Sequence, residues 1–159
     1  MNTAELPGIK TLNFPSTTFA IVRQMVKWED VQAFYDRHIS LILTETSTRN
    51  INAGTPAGLV YDWDEKNRTA DIAAAVPVPA GTKLDNSIIE IESIPDSKAI
   101  YADQLGDPGK TPELYAMLRK YITENKLKQV NPVIEQFLVD ATNESDSTKW
   151  RTRVVFLVK

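Results

Sequence analysis

The chain has 159 residues, enough for one ordinary domain, whereas two separate halves of ~60 residues would each bury little of their own surface. With 42% hydrophobic and 25% charged residues, its composition is that of a globular protein and excludes disordered and fibrous classes. A net charge of −3 argues against direct binding to a nucleic-acid backbone, and the absence of cysteine excludes disulfides, thiolate metal sites and cysteine nucleophiles.

The sequence presents the same order of elements twice. Residues 9–15 are echoed by residues 89–95, and each stretch ends in proline. An apolar stretch bounded by proline or glycine follows each one, at 19–26 and at 98–105, and this pattern is typical of strands. A duplicated unit is therefore expected, with the copies at about 8–79 and 87–159 of a single domain spanning 1–159.

After each of these strands, the apolar residues recur with the period of a helix. The apolar stripes are Val31, Phe34, Tyr35, His38, Ile39 and Ile42 in the first copy, and Leu114, Tyr115, Leu118, Tyr121 and Ile122 in the second. We predict helices at about 28–47 and 112–125, the second capped by Thr111 with Pro112 at its first position.

Two further strands follow each helix. They are predicted at 58–64 and Thr69–Val78 in the first copy, and at 133–140 and 150–158 in the second, with polar hairpin loops between them. The fold class is therefore α+β, with duplicated strand-helix-strand-strand units around a pseudo-two-fold axis and two helices packed on an antiparallel sheet. Pockets form at such seams, so we expect a small-molecule site between the copies.

One carboxylate falls within an apolar row of a predicted strand. In the strand 133–140, period-two geometry places Glu135 on the same face as Phe137 and two valines. A buried carboxylate needs a partner or a proton, so a cationic or hydrogen-bond-donating ligand is one interpretation. The other is that Glu135 pairs with Arg151 or Arg153 on the neighbouring strand, or points to water.

The first copy supplies aromatic residues in the corresponding place. Aligned on the two hairpins, Leu59, Tyr61 and Trp63 lie opposite Glu135 and its neighbours on the same face, and aromatic rings attract cations. Tyr101 and Tyr115 are further candidates. Each of these residues also has a plain packing interpretation.

Other chemistry has weaker signals. His38, the only histidine, is either an acid-base or ligand-binding residue or a core histidine with satisfied hydrogen bonds. One histidine without cysteine argues against a metal site, and we expect no cofactor. A Gly-Lys-Thr sequence at 109–111 lacks the earlier glycine of a phosphate loop, because Gln104 stands there, so it is interpreted as a turn and helix cap. No apolar run is long enough for a membrane span and no secretory signal is recognisable, which favours a cytoplasmic protein.

Taken together, residues 54–64, 76–78, 132–140 and 150–154 resemble the GyrI-like family of bacterial small-molecule-binding domains, which have a SOUL-like fold. In that family the domain serves as the effector-binding domain of AraC-type and multidrug-responsive transcription regulators. The resemblance implies a cleft between the copies that takes lipophilic, often cationic or aromatic compounds against a buried glutamate, which maps onto Glu135. The sequence departs from those regulators because too few residues precede its second predicted strand to form a helix-turn-helix DNA reader. We therefore expect its partners to be the ligand and either a separate regulator or a second copy.

Three functions follow as hypotheses. The leading one is a binding module without catalysis, acting as a sensor, a sequestering protein or an effector-binding module. The second is a hydrolase of a reactive cyclopropane-containing compound, with Glu135 as base and Tyr61 or Tyr101 as proton donor. The third is a protein-interaction role such as gyrase inhibition, which the residues neither support nor exclude.

Overall fold

The computed structural model describes residues 8–86, 88–106, 111–140 and 143–159. Most of the predicted turn before Thr111, at residues 107–110, and residues 141 and 142 of the predicted second hairpin loop lie outside the described residues, and the side chain of the predicted cap Thr111 is not described. Along the described chain the elements are β1 Lys10–Phe14, β2 Thr17–Lys27, α1 Val31–Thr48, β3 Ala57–Asp64, β4 Thr69–Val78, β5 Glu90–Ile94, β6 Ser97–Leu105, α2 Thr111–Glu124, β7 Gln129–Val139 and β8 Arg151–Val158. The paired strands are antiparallel, which confirms the predicted antiparallel α+β class.

Two element boundaries differ from prediction by three residues or more. The residues Trp28–Asp30 form a 3₁₀ turn, and α1 begins only at Val31. The Trp28 indole donates a hydrogen bond to the carbonyl of Thr69 at 3.0 Å, which ties this turn to the start of β4. Strand β7 begins at Gln129, earlier than the predicted residue 133, because Gln129 and Val130 already pair with the end of β8.

The chain forms two units, and the first strand of each repeat has been exchanged between them. The N-terminal unit is Pro15–Asp96, with strand order β3-β4-β2-β5, and the C-terminal unit is Ser97–Lys159 together with residues 8–14, with order β1-β6-β8-β7. Strand β1 pairs with β6 and strand β5 pairs with β2, so each unit contains a short strand from the other repeat.

The core of the N-terminal unit lies between α1 and the strands β2 and β4. Strand β4 is buried over most of its length, and Ala73, Ala74 and Ala75 in its middle have no exposed surface. From the helix, Phe34 and Ile42 are buried, and each contributes about 1.5–3 kcal/mol of hydrophobic stabilisation. The predicted apolar stripe of this helix therefore faces the sheet.

The C-terminal unit repeats this layer with α2 against β6 and β8. Leu114, Leu118 and Ile122, at helical spacing, are all buried against strands that contribute Ile100 and Phe156. Across the part of the chain that is described, no helix is both long and apolar enough to cross a membrane.

Both helices end in the same way although neither uses glycine. Asn50 and Lys126 adopt left-handed backbone angles, with φ of 55° at each. The amide after each of them then donates back into the last turn, from Ile51 to Thr46 at 2.9 Å and from Leu127 to Ile122 at 3.0 Å. This hydrogen-bond pattern satisfies helix carbonyls that would otherwise lack donors.

Candidate ligand-binding site

Glu135 lies on the face of its sheet that α2 covers. In the register of the C-terminal unit, Glu135 pairs with Val154, which pairs with Ala102 on β6. The Tyr115 hydroxyl, on α2, donates a hydrogen bond to the Glu135 carboxylate. Phe137 pairs with Thr152, two residues from Val154, and therefore shares this face with Glu135.

The protonation of Glu135 responds to two opposing effects. Burial raises the pKa of its carboxyl group, while the hydrogen bond from Tyr115 acts in the opposite direction. Among the described residues, no lysine, arginine or histidine lies within ion-pair distance of it. The carboxyl group of Glu135 thus has one phenol donor and no cationic partner among the described residues.

The tyrosine of this pair has an aromatic and a cationic neighbour. The Tyr115 ring meets the fully buried Phe156 ring edge to face, with centroids 5.4 Å apart and an interplanar angle of 70°. The guanidinium carbon of Arg119, one helical turn later, lies 5.4 Å from the centroid of the Tyr115 ring. Tyr115, Glu135 and Phe137 all keep partial exposure, unlike the core residues around them.

The predicted ion pair between Glu135 and its strand neighbours does not form. Arg151 and Arg153 both bind Asp103 on β6, with Nε to carboxylate distances of 2.8 Å. Because Arg153 pairs with Gln136, the residue after Glu135, this network lies on the opposite face of the sheet. The interpretation of Glu135 as the ion-pair partner of Arg151 or Arg153 is therefore wrong.

Tyr101 also lies on this opposite face. It pairs with Val155, adjacent in sequence to the residue opposite Glu135, and the guanidinium carbon of Arg153 lies 4.4 Å from its ring centroid. The structure thus brings together Glu135, Tyr115 and Phe137, and separates Tyr101 from them by the thickness of the sheet.

Tyr61 occupies a β-bulge of the N-terminal unit. The register of β3 shifts between Val60 and Asp62, and Tyr61 is the unpaired residue. The guanidinium carbon of Arg23 lies 3.5 Å from its ring centroid, and Arg23 is fixed by two hydrogen bonds to Asp71, at 2.9 and 2.8 Å. The buried Tyr61 hydroxyl has no hydrogen-bond partner among the described residues. Burial, reinforced by Glu92, raises the pKa of Tyr61 to about 12.

The strand register corrects the alignment of the two copies. Thr18 and Lys98, each the second residue of its strand, pair with Val78 and Val158, which makes Ala74 of β4 equivalent to Val154 of β8. The residue opposite Ala74 is Gly58, whereas the residue opposite Val154 is Glu135. The counterpart of Glu135 is thus Gly58 and not Leu59. The fully buried Leu59 is instead equivalent to Gln136.

Trp63 and His38 lie in the N-terminal unit and have local packing partners. Trp63 is 41% exposed and stacks on Trp28, with ring centroids 5.0 Å apart, and the guanidinium carbon of Arg68 lies 4.7 Å from the Trp28 ring. Nδ1 of His38 is 3.0 Å from the carbonyl oxygen of Phe34, whose ring is 4.4 Å away. The core interpretation of His38 accounts for these contacts.

No metal centre is evident in the described residues, where no three of His, Asp or Glu cluster in a way that would hold an ion. The sequence analysis missed the packing of Tyr35 over Gly58 and the two arginine–aspartate networks. The repeat was the available signal for Tyr35, because Tyr35 stands at the same distance from the start of α1 as Tyr115 from the start of α2.

Comparison with known proteins identifies the fold. No protein-family model matches the sequence, and no curated protein matches it. Among solved structures, the EcmrR C-terminal domain superposes with a TM-score of 0.83 at 19% identity, covering 97% of this chain and 98% of that domain. The likeness to EcmrR in its complex with DNA covers 57% of that longer chain. SAV2435 bound to tetraphenylphosphonium gives a TM-score of 0.67 at 15% identity, with 96% and 94% coverage.

These likenesses show that the chain has the fold of the EcmrR C-terminal domain. This agrees with the GyrI-like fold that the sequence resemblance implied. A hydrolase from Listeria innocua has the same fold, with a TM-score of 0.64, 12% identity, and coverage of 99% of this chain and 95% of that chain.

Proposed function

We propose that the C-terminal unit binds a small hydrophobic cation, or an aromatic compound that donates a hydrogen bond, at Glu135. The observation that carries this proposal is a desolvated carboxylate whose partner is a phenol rather than a cation. A ligand cation would supply the charge that the described residues lack there.

Burial of a carboxylate has a free-energy cost that a bound cation can offset. A carboxylate without water loses several kcal/mol of hydration unless it is paired or protonated. A lipophilic cation loses little hydration on entering the same apolar layer, because its charge is already shielded by its substituents. Pairing the two recovers electrostatic energy at low local dielectric constant, and this favours cations over neutral compounds of the same shape.

The aromatic neighbours favour the same ligand class. A cation over an aromatic ring gains about 0.5–2 kcal/mol, depending on how far it is desolvated. Tyr115 and Phe137 lie on the same face as Glu135 and keep partial exposure. Tyr115 would exchange its hydrogen bond to the carboxylate for a ring contact with the ligand.

Two solved structures of the same fold support the proposal. SAV2435 is bound to tetraphenylphosphonium, a lipophilic cation, and EcmrR binds DNA in a complex in which the part similar to this chain is about half of the protein. By analogy of fold, we propose that this chain senses or sequesters such compounds in the cytoplasm. Any effect on transcription would pass through a separate regulator or an attached DNA-binding segment.

The experiment is isothermal titration with tetraphenylphosphonium, comparing the wild type with Glu135→Gln. The matched control is Glu124→Gln, which removes an exposed carboxylate from the end of α2 and leaves the site untouched. We expect binding by the wild type and the control, and at least a tenfold loss of affinity in Glu135→Gln. Equal affinity in all three, or no binding to any, would contradict the proposal.

A second candidate is hydrolysis at the same pair, favoured by the direct hydrogen bond between Tyr115 and Glu135. Since Tyr101 lies on the other face, Tyr115 is the hydroxyl placed to position water or a leaving group beside the carboxylate. A reactive cyclopropane-containing compound incubated with the protein in ¹⁸O-water would give a labelled product by mass spectrometry. The product should disappear in Glu135→Gln, and its persistence there would exclude this role.

A further inference from the structure

Each unit has a tyrosine at the equivalent position of its helix, but the two tyrosines lie over different types of strand residue. Tyr35 and Tyr115 occupy equivalent helical positions, and Gly58 and Glu135 occupy equivalent positions of β3 and β7. In the C-terminal unit the tyrosine hydroxyl meets a carboxylate. In the N-terminal unit it meets a residue without a side chain.

The absence of a side chain at Gly58 is required by the position of Tyr35. A Cβ atom added to Gly58 would lie 2.5 Å from the Tyr35 hydroxyl oxygen, 2.6 Å from Cζ and 2.9 Å from Cε1. Cβ atoms essentially never approach non-bonded atoms this closely, so the Tyr35 ring lies against the backbone of β3 at Gly58. Both residues are buried, with Tyr35 only 5% exposed.

The strand neighbours of Gly58 on this face are apolar. Ala74 lies opposite it, and Val22 lies opposite Ala74 on the next strand. Two residues further along β3, Val60 pairs with Ile72 on the same face. All of these side chains are buried, and none carries a charge that would attract a cation.

We infer that Gly58 confines ligand binding to one of the two helix–sheet layers: the glycine lets Tyr35 fill the first layer, while Glu135 holds Tyr115 away from the strand in the second. This inference rests on the proposed function and adds its stoichiometry. The chain takes one lipophilic cation, in the C-terminal unit, and the duplicated layer of the N-terminal unit is closed by its own tyrosine.

The ligand test is the number of tetraphenylphosphonium molecules bound per chain at saturation. By isothermal titration, we expect the wild type to bind one tetraphenylphosphonium molecule per chain. We expect Glu135→Gln to weaken that site without revealing another one. Two equivalents bound, or one equivalent that survives Glu135→Gln and is lost in Tyr35→Leu, would overturn the inference while leaving cation binding itself intact. Absence of all binding would instead overturn the proposed function and the stoichiometry together.

A second test needs no ligand and examines the closure directly. In urea unfolding, Gly58→Ala should raise the unfolding equilibrium constant by roughly tenfold to a hundredfold, as overpacking does in cores. In the Tyr35→Leu background, which removes the clashing atoms, the same change should matter by about twofold or less. The control is Gly8→Ala, where an added Cβ meets nothing within 4 Å.

The comparison of Gly58→Ala in the wild-type and Tyr35→Leu backgrounds has distinct outcomes. Should Gly58→Ala fail to fold alone but fold together with Tyr35→Leu, the closure is supported. An equal penalty in both backgrounds, or failure to fold in both, would show that Tyr35 does not fill the space above Gly58.

Discussion

Replacing Glu135 with glutamine should change the stability of the protein in a pH-dependent way. Burial raises the pKa of Glu135 in the folded state above its value of about 4.3 in an unfolded chain. The folded protein therefore binds this proton more tightly than the unfolded chain does. The stabilisation it provides is complete below the unfolded pKa and is lost as the pH rises through the folded pKa.

The size of the stability change follows from the linkage between proton binding and folding. Between the two pKa values, the wild type should lose about 1.4 kcal/mol of unfolding free energy per pH unit relative to Glu135→Gln. Glutamine stays neutral, has nearly the same shape, and keeps an oxygen that can accept the hydrogen bond from Tyr115. The variant should therefore equal the wild type at about pH 4 and exceed it in stability at neutral pH.

The assay is urea unfolding followed by tryptophan fluorescence from about pH 4 to about pH 8. Glu124→Gln serves again as the control, since its exposed carboxylate should leave the curve parallel to that of the wild type. A difference between Glu135→Gln and wild type that stays constant across this range would refute the claim that the Glu135 carboxyl group is desolvated in the fold.

Three further changes test other parts of the structure. Tyr61→Phe removes a buried hydroxyl without a partner in the described residues, so it should stabilise by about 1 kcal/mol in thermal unfolding. It should also abolish the loss of stability that the wild type shows as pH rises from about 10 to about 12, and an unchanged alkaline profile would count against this. At Asp103, burial raises the pKa but the hydrogen bonds from the two arginines lower it overall, so Asp103→Asn should cost about 1 kcal/mol at neutral pH and less as acid protonates the wild type. A penalty in urea titrations that grows towards acid would contradict this sign. Trp63→Ala should lose about 1 kcal/mol and shift the emission of Trp28, and unchanged emission would mean that the stack is absent in solution.

Much of the fold was predictable because local sequence patterns mark most of the helices and strands. The apolar period of α1 and α2 and the paired strands after each helix are visible in the sequence. The start of α1 was not, because Trp28 is drawn into a 3₁₀ turn by a hydrogen bond to Thr69, far along the chain. The exchange of the first strands also leaves no local trace.

The candidate site was predictable in part. Glu135 stood out as a carboxylate in an apolar row, but its partner depended on where α2 lies across the sheet, which no single element encodes. Asp103 draws both arginines to the opposite face, and the strand stretch alone could not show this. The bulge at Tyr61 shifts register by one residue, so the simple alternation that grouped Leu59 with Trp63 failed there.

The exchange of first strands also sets the order in which native strand pairs can form while the chain is being synthesised. The N-terminal unit is one continuous segment, Pro15–Asp96, so all four of its strands can pair before the rest of the chain has been made. Strand β1 emerges earlier than all of them, yet its partner is β6. It therefore cannot form its native pairing until β6, which follows Pro15–Asp96, has been made. Any nascent-chain partner or misfolding event that captures residues 8–14 would act in that interval.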